Sequence, residues 1–141
     1  MHHLAILAKP RKLLAKIISG EKTIESRWYQ HQKTPYNSIS KDDTMYFKDS
    51  GEPVTVKATV AAVQFFANLD EQKIKTILQQ YGDRICLPVS HAPELVGKKY
   101  CTLIFLKEVI EIDPFHIDKS GFGLMAAWIT VENIEEIKKK D

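Results

Sequence analysis

Apolar residues recur along this chain at two spacings, and the switch between them divides it into strands and helices. From residue 54, Val54, Val56, Ala58, Val60 and Ala62 alternate with Thr55, Lys57, Thr59 and Ala61, the period-two pattern of a strand with one buried face. The preceding Asp49-Ser50-Gly51-Glu52-Pro53 is turn-forming, which makes residues 44–48 and 54–63 the arms of a hairpin. His3-Leu4-Ala5-Ile6-Leu7 and Leu103-Ile104-Phe105-Leu106 are nearly continuous apolar runs, so central strands covered on both faces are predicted there. The second run belongs to a strand over residues 100–112 that Asp113-Pro114 ends.

Helical spacing appears twice. Leu13, Leu14, Ile17 and Ile18 form a stripe between Pro10 and Gly20, predicting a helix over residues 10–19 with proline in its first turn and glycine as its stop. Leu69, Ile74, Ile77, Leu78 and Tyr81 predict a second over residues 70–81, capped by Asn68 or Asp70 and ended by Gly82. Residues 83–98 read as irregular. After the turn Lys119-Ser120-Gly121-Phe122-Gly123, residues 124–131 fit strand or helix by period alone and are read as a strand ending in Ile129-Thr130-Val131, and residues 132–140 as a short charged helix resting on Ile134 and Ile137. The polar, aperiodic residues 30–43 make a loop long enough to serve as a functional lid.

A chain of 141 residues is one domain's worth, and residues 1–141 read as a single unit without repeat or linker. A hydrophobic share of 44% with 27% charged residues is that of an ordinary globule. No run approaches a membrane span and no leader pattern opens the chain, so a cytoplasmic place and no membrane partner are expected. Cys86 and Cys101 lack metal-ligand spacing with each other or with histidine, and neither a metal nor a cofactor is expected. Charge is uneven: residues 1–41 hold eight basic against two acidic side chains, a net of +6, leaving −4 for the remainder. A basic portion of this kind suits a polyanion partner.

The candidate chemistry lies in Ser19-Gly20-Glu21-Lys22-Thr23-Ile24-Glu25-Ser26-Arg27-Trp28-Tyr29. In extended backbone Thr23, Glu25, Arg27 and Tyr29 share one face, while Ile24, Ser26 and Trp28 share the other. Lys22 enters from the turn on a long, flexible stem as a movable charge. Gly20, Lys22, Glu25 and Arg27 match G-x-K-x-x-E-x-R, and the stretch resembles the signature of the ASCH domain, a member of the PUA-like superfamily. The resemblance implies an α+β fold: a PUA-like, mainly antiparallel β-barrel of about five or six strands with peripheral helices.

That resemblance also implies a charged cleft holding RNA or a nucleobase, single-stranded nucleic acid being favoured over duplex DNA. The expected ligand-binding residues are Lys22, Glu25, Arg27, Tyr29, Tyr36, Ser120 and Phe122. Arginine gives forked hydrogen bonds to a phosphate or base edge, a carboxylate accepts from an exocyclic amine, and aromatic rings stack on unpaired bases. Trp28 and Trp128 are further candidate platforms, with Trp28 assigned to the core by its alternation. Ser120 and Phe122 belong to a glycine turn whose N–H groups form a possible rim.

Two other functions stay open. A hydrolase acting on a modified nucleoside or on RNA, like the N4-acetylcytidine amidohydrolases or a ribonuclease, would use Lys22 and Glu25 as an acid–base pair. The family's nucleophilic threonine aligns with Glu25, however, leaving Thr23 on that face. A protein-interaction domain is the third reading, and it leaves the charge asymmetry without a role.

Overall fold

The computed structural model describes residues 1–123 and 125–140. Six strands form one sheet: β1 (His2–Leu7), β2 (Ile24–Tyr29), β3 (Thr44–Asp49), β4 (Val54–Phe66), β5 (Tyr100–Phe115) and β6 (Trp128–Val131), in the order β2-β5-β4-β3-β1-β6. All neighbours are antiparallel except β1 and β3, which run parallel. Two helices accompany them, α1 (Leu13–Ser19) and α2 (Glu71–Ile85). This is an α+β barrel curled from a mixed, mainly antiparallel sheet. The long strands β4 and β5 slip register three times along their ladder, and such bulges increase twist and bend a sheet onto itself.

The curl creates an inside and two covered outsides. Inside lie Ala5, Leu7, Met45, Phe47, Val56, Ala58, Val60 and Ile104, with Leu13 and Ile17 of α1 and Ile39 of the long loop as plugs. The outer face of β2 and β5 packs Ile24, Cys101 and Leu103 under Ile74, Ile77, Leu78 and Ile85 of α2. A third cluster on the outer face of β1, β3 and β6 joins Leu4, Ile6, Tyr46, Ile129 and Val131 to Ile134 and Ile137. β1 is therefore buried on both faces, as its apolar run requires.

Element boundaries differ from expectation where local contacts intervene. Pro10 opens only a 3-10 turn, Lys9–Arg11, because Lys12 takes a left-handed conformation (φ 56°) before α1 begins. With seven residues, α1 buries Leu13 and Ile17 one turn apart and leaves Ile18 41% exposed, outside the predicted stripe. Asp70 is the cap of α2, its side chain accepting from the Lys73 N–H at 2.8 Å. Gly82 does not end α2: a Cβ there would stand 2.7 Å from the Leu87 carbonyl oxygen, so the glycine permits close packing and Cys86 (φ 65°) is the cap. Residues 83–98, expected to be irregular, hold that last turn and the 3-10 segment Val89–Leu95.

Pro114 does not break β5, which runs on to Phe115. β2 pairs only with Tyr100–Phe105, so one edge of β5 is free at the proline and no ladder bond is lost. The final strand begins at Trp128 rather than 124, and Leu124 lies outside the described residues. The expected C-terminal helix is one 3-10 turn, Ile134–Ile137. Three residues per turn place both isoleucines on the same side, toward the third cluster.

Candidate functional site: a cleft over strand β2

Gly20 ends α1 with φ 84°, a left-handed conformation glycine takes freely, and the chain turns directly into β2. The alternation of β2 then sorts its side chains. Ile24 goes under α2, while Glu25 and Arg27 go to the barrel side, opposite Ile104 and Thr102 of β5.

Glu25, 3% exposed, is the centre of the charged cluster. One carboxylate oxygen, Oε1, accepts the Ser26 N–H at 2.9 Å and lies 3.5 Å from Lys22 Nζ; the other, Oε2, lies 3.5 Å from Arg27 Nη2. Burial alone would raise its pKa, yet the neighbouring Lys22 and Arg27 cations and the Ser26 amide hold it below the ordinary carboxylate value. The buried group is thus a charged acceptor with both oxygens engaged.

Lys22 is not the movable charge its stem implied. It is 2% exposed, and its ammonium donates to the carbonyl oxygens of Ile24 at 2.9 Å and Ile85 at 2.8 Å. Ile85 closes α2, so Lys22 caps the negative end of that helix and ties it to β2.

Arg27 reaches across the barrel seam. β2 and β6 are the two ends of the strand order, and Arg27 donates to the Ala127 carbonyl (3.3 Å) and to that of Ile6 (3.5 Å) on the far side. Its guanidinium lies over the Trp128 ring, 5.2 Å from the centroid, a cation–π contact. Nε is buried without a hydrogen-bond partner.

A cleft of about 700 Å³ opens along this seam. Lys22, Glu25, Ser26, Arg27, Trp28 and Tyr29 form one wall, and Lys119, Phe122 and residues 125–128 the other, with Ile6 and Leu7 between; Arg11, Lys33, Glu94 and Lys98 stand around it. Lys33 sits 5.4 Å from the Tyr29 ring, and the half-buried Tyr29 phenol has its pKa raised by burial. Trp28, assigned to the core, both packs on the cluster beneath α2 and lines the cleft, its indole N–H donating to Ser26 Oγ at 3.0 Å.

Of the residues expected to bind ligand, Lys22, Glu25, Arg27, Tyr29 and Phe122 line this space. Tyr36 does not: its ring packs edge-on against Phe65 and Tyr100. Ser120 sits in a separate shallow depression and bonds to Asp118. Thr23 is held by Arg84, whose Nε donates to its hydroxyl at 3.0 Å. Arg11, Lys98, Met125 and the Ala127 carbonyl were missed, as nothing local in the sequence joins residue 27 to residue 127. Among the described residues, no three His, Cys, Asp or Glu side chains are grouped to hold a metal.

An α+β barrel with a charged, aromatic cleft at its seam defines the class. Solved structures narrow it to the ASCH fold. The chain is similar to ASCH from Zymomonas mobilis at a TM-score of 0.71 and 17% identity, over 96% of this chain and 90% of that one. A tyrosine-to-phenylalanine variant of that protein matches equally, with 93% of its chain covered, and a serine-to-alanine variant at a TM-score of 0.70. No protein-family model and no curated protein matches the sequence.

Proposed function

We propose that the cleft binds RNA through an unpaired nucleotide, its base stacked among aromatic side chains and its phosphates met by the surrounding cations. The observation that carries this reading is the state of Arg27. Its guanidinium lies over the Trp128 ring at the cleft, anchored to Glu25 and two carbonyls, and Nη1, which gives one of its two N–H groups to Ala127, keeps the other outside these contacts. An arginine oriented in this way is ready for a phosphate or a base edge at little further entropic cost. Trp28, Tyr29 and Phe122 supply stacking faces, and Arg11, Lys33 and Lys98 supply positive charge at the rim. A volume near 700 Å³ fits a nucleotide-sized ligand.

The same geometry supports binding over hydrolysis. Lys22 is committed to two carbonyl oxygens and Glu25 to three donors, so neither stands ready to exchange a proton with a substrate. Thr23, tied to Arg84, does not reach the cleft wall as a nucleophile.

Fluorescence anisotropy with a labelled single-stranded RNA of about 12 nucleotides tests the reading. Wild type binds, duplex DNA of the same length binds more weakly, and Arg27→Ala loses at least about tenfold in affinity while melting cooperatively. Equal binding by wild type and Arg27→Ala overturns it.

A further inference from the structure

We propose that His3 and Thr130 are positioning residues for the cleft: His3, in its neutral form, orients the Thr130 hydroxyl, and that hydroxyl fixes the Trp128 indole on which Arg27 lies. The relay is read from three contacts. His3 Nε2 is 2.8 Å from Asp43 Oδ2, His3 Nδ1 is 3.0 Å from Thr130 Oγ1, and Trp128 Nε1 is 3.2 Å from the same Thr130 oxygen. His3 is fully buried and its ring stands 5.7 Å from the Trp128 ring, on which Arg27 also packs.

With His3 neutral, hydrogen-bond inventory gives the direction of each contact. An indole N–H only donates, so Thr130 Oγ1 accepts from Trp128. The Asp43 carboxylate only accepts, so a neutral His3 faces it with an N–H and offers a bare Nδ1 to the Thr130 hydroxyl proton. The ring proton consequently sits on Nε2, facing the Asp43 carboxylate. One tautomer of neutral His3 satisfies every group. A protonated His3 would place a second donor on Thr130 Oγ1 and take away the acceptor of the Thr130 hydroxyl.

The charges around His3 do not cancel that conflict. The Asp43 carboxylate, in the turn before β3, favours the protonated ring, but it is shared with the Met1 ammonium at 3.4 Å and the Ser40 N–H at 3.0 Å. The Met1 ammonium and His2, on His3's own chain segment, oppose protonation, and Arg27 adds positive charge beyond Trp128. Burial dominates, and the His3 pKa lies below its ordinary 6.5. The strand pair holds the geometry: His3 sits opposite Thr130 in the β1–β6 ladder and opposite Met45 in β3.

The test reads Trp128 directly and does not depend on RNA. In a Trp28→Phe background, which leaves one indole, the Trp128 N–H resonance is followed in 15N-labelled protein from pH 8 to pH 5. The expected result is an indole resonance unchanged from pH 8 to 6.5, with any transition below 6.5. Thr130→Val removes the acceptor at nearly constant volume and should speed indole N–H exchange about tenfold, the scale of one net hydrogen bond, while Thr130→Ser restores protection. His3→Asn keeps a side-chain acceptor near the Nδ1 position and should abolish any such transition; should it fail to fold, the Thr130 pair carries the test. A transition with its midpoint above 6.5, or Thr130→Val with unchanged exchange, overturns the proposal.

A second arm rests on the RNA-binding reading. With a Trp28-containing protein and the labelled RNA of about 12 nucleotides, Thr130→Val should weaken binding about fivefold at pH 7.5 and Thr130→Ser should recover it. RNA that wild type does not bind at any pH defeats the RNA reading alone. RNA that wild type and Thr130→Val bind equally defeats the positioning role.

Discussion

Lys22 and Arg27 carry the same charge and divide the work between them. Lys22 is spent inside the protein, on the end of α2 and on Glu25; Arg27 spans the seam and meets the cleft. Lys22→Ala is therefore expected to cost stability, about 3 kcal/mol in urea unfolding, because it strands a buried carboxylate and the carbonyls of Ile24 in β2 and Ile85 at the end of α2. A loss below about 1 kcal/mol would mark the ammonium as dispensable to the fold. Glu25 makes a pH prediction. Its folded pKa lies below the ordinary 4.5, so as pH falls through 4.5 the unfolded chain takes up the proton first and stability drops until the folded pKa is passed. His3, lowered from 6.5, acts with the same sign in a higher window, so wild type should lose stability in two stages on acidification. Denaturant midpoints measured from pH 7 to pH 3 check this, and His3→Asn should shrink the upper stage, leaving the part contributed by His2, which burial also lowers from 6.5. Strand alternation made the pairing of Glu25 with Arg27 legible in the sequence. The burial of Lys22 was not, because its acceptor at Ile85 is 63 positions away.

At the scale of elements, apolar spacing placed most of the strands and both α-helices, residues 124–131 fitted strand or helix by period alone, and most errors fell at element ends. Gly82 shows why. Glycine after an apolar stripe reads as a stop, but here it keeps helical geometry so that the Leu87 backbone can pass close by. Gly82→Ala in an open helix would gain up to about 1 kcal/mol. In α2 the new Cβ meets a backbone oxygen, so the melting temperature should fall; a rise would show that the turn from Cys86 to Pro88 yields freely. Pro114 and the C-terminal turn follow the same logic. Whether proline ends a strand depends on which edge is paired, and whether Ile134 and Ile137 belong to an α- or a 3-10 turn depends on the cluster they fill. Neither is written locally.

The whole molecule puts a seam where the sheet does not close by backbone pairing and spans it with an arginine. Which strands meet there depends on β1 pairing parallel with β3 and antiparallel with β6, contacts that join distant parts of the chain and leave no periodic trace. Among the described residues no helix is long and apolar enough to cross a membrane. Basic residues of the first third, Arg11, Arg27 and Lys33, gather with Lys98 at the cleft, so RNA affinity should fall as salt rises. With three phosphate contacts the slope of log K against log[salt] should be about −2; a slope near zero would mean that the phosphates are not read. The most direct test of the central claim, that RNA is held at this seam, is an amide NMR titration of the 15N-labelled protein with a single-stranded RNA of about 12 nucleotides. The account predicts that saturable shifts concentrate in Glu25–Tyr29, Lys33, Lys98 and residues 119–128, with α2 residues 71–80 unmoved. Shifts confined to α2 or to the far end of the β4–β5 ladder, with β2 unmoved, would contradict it.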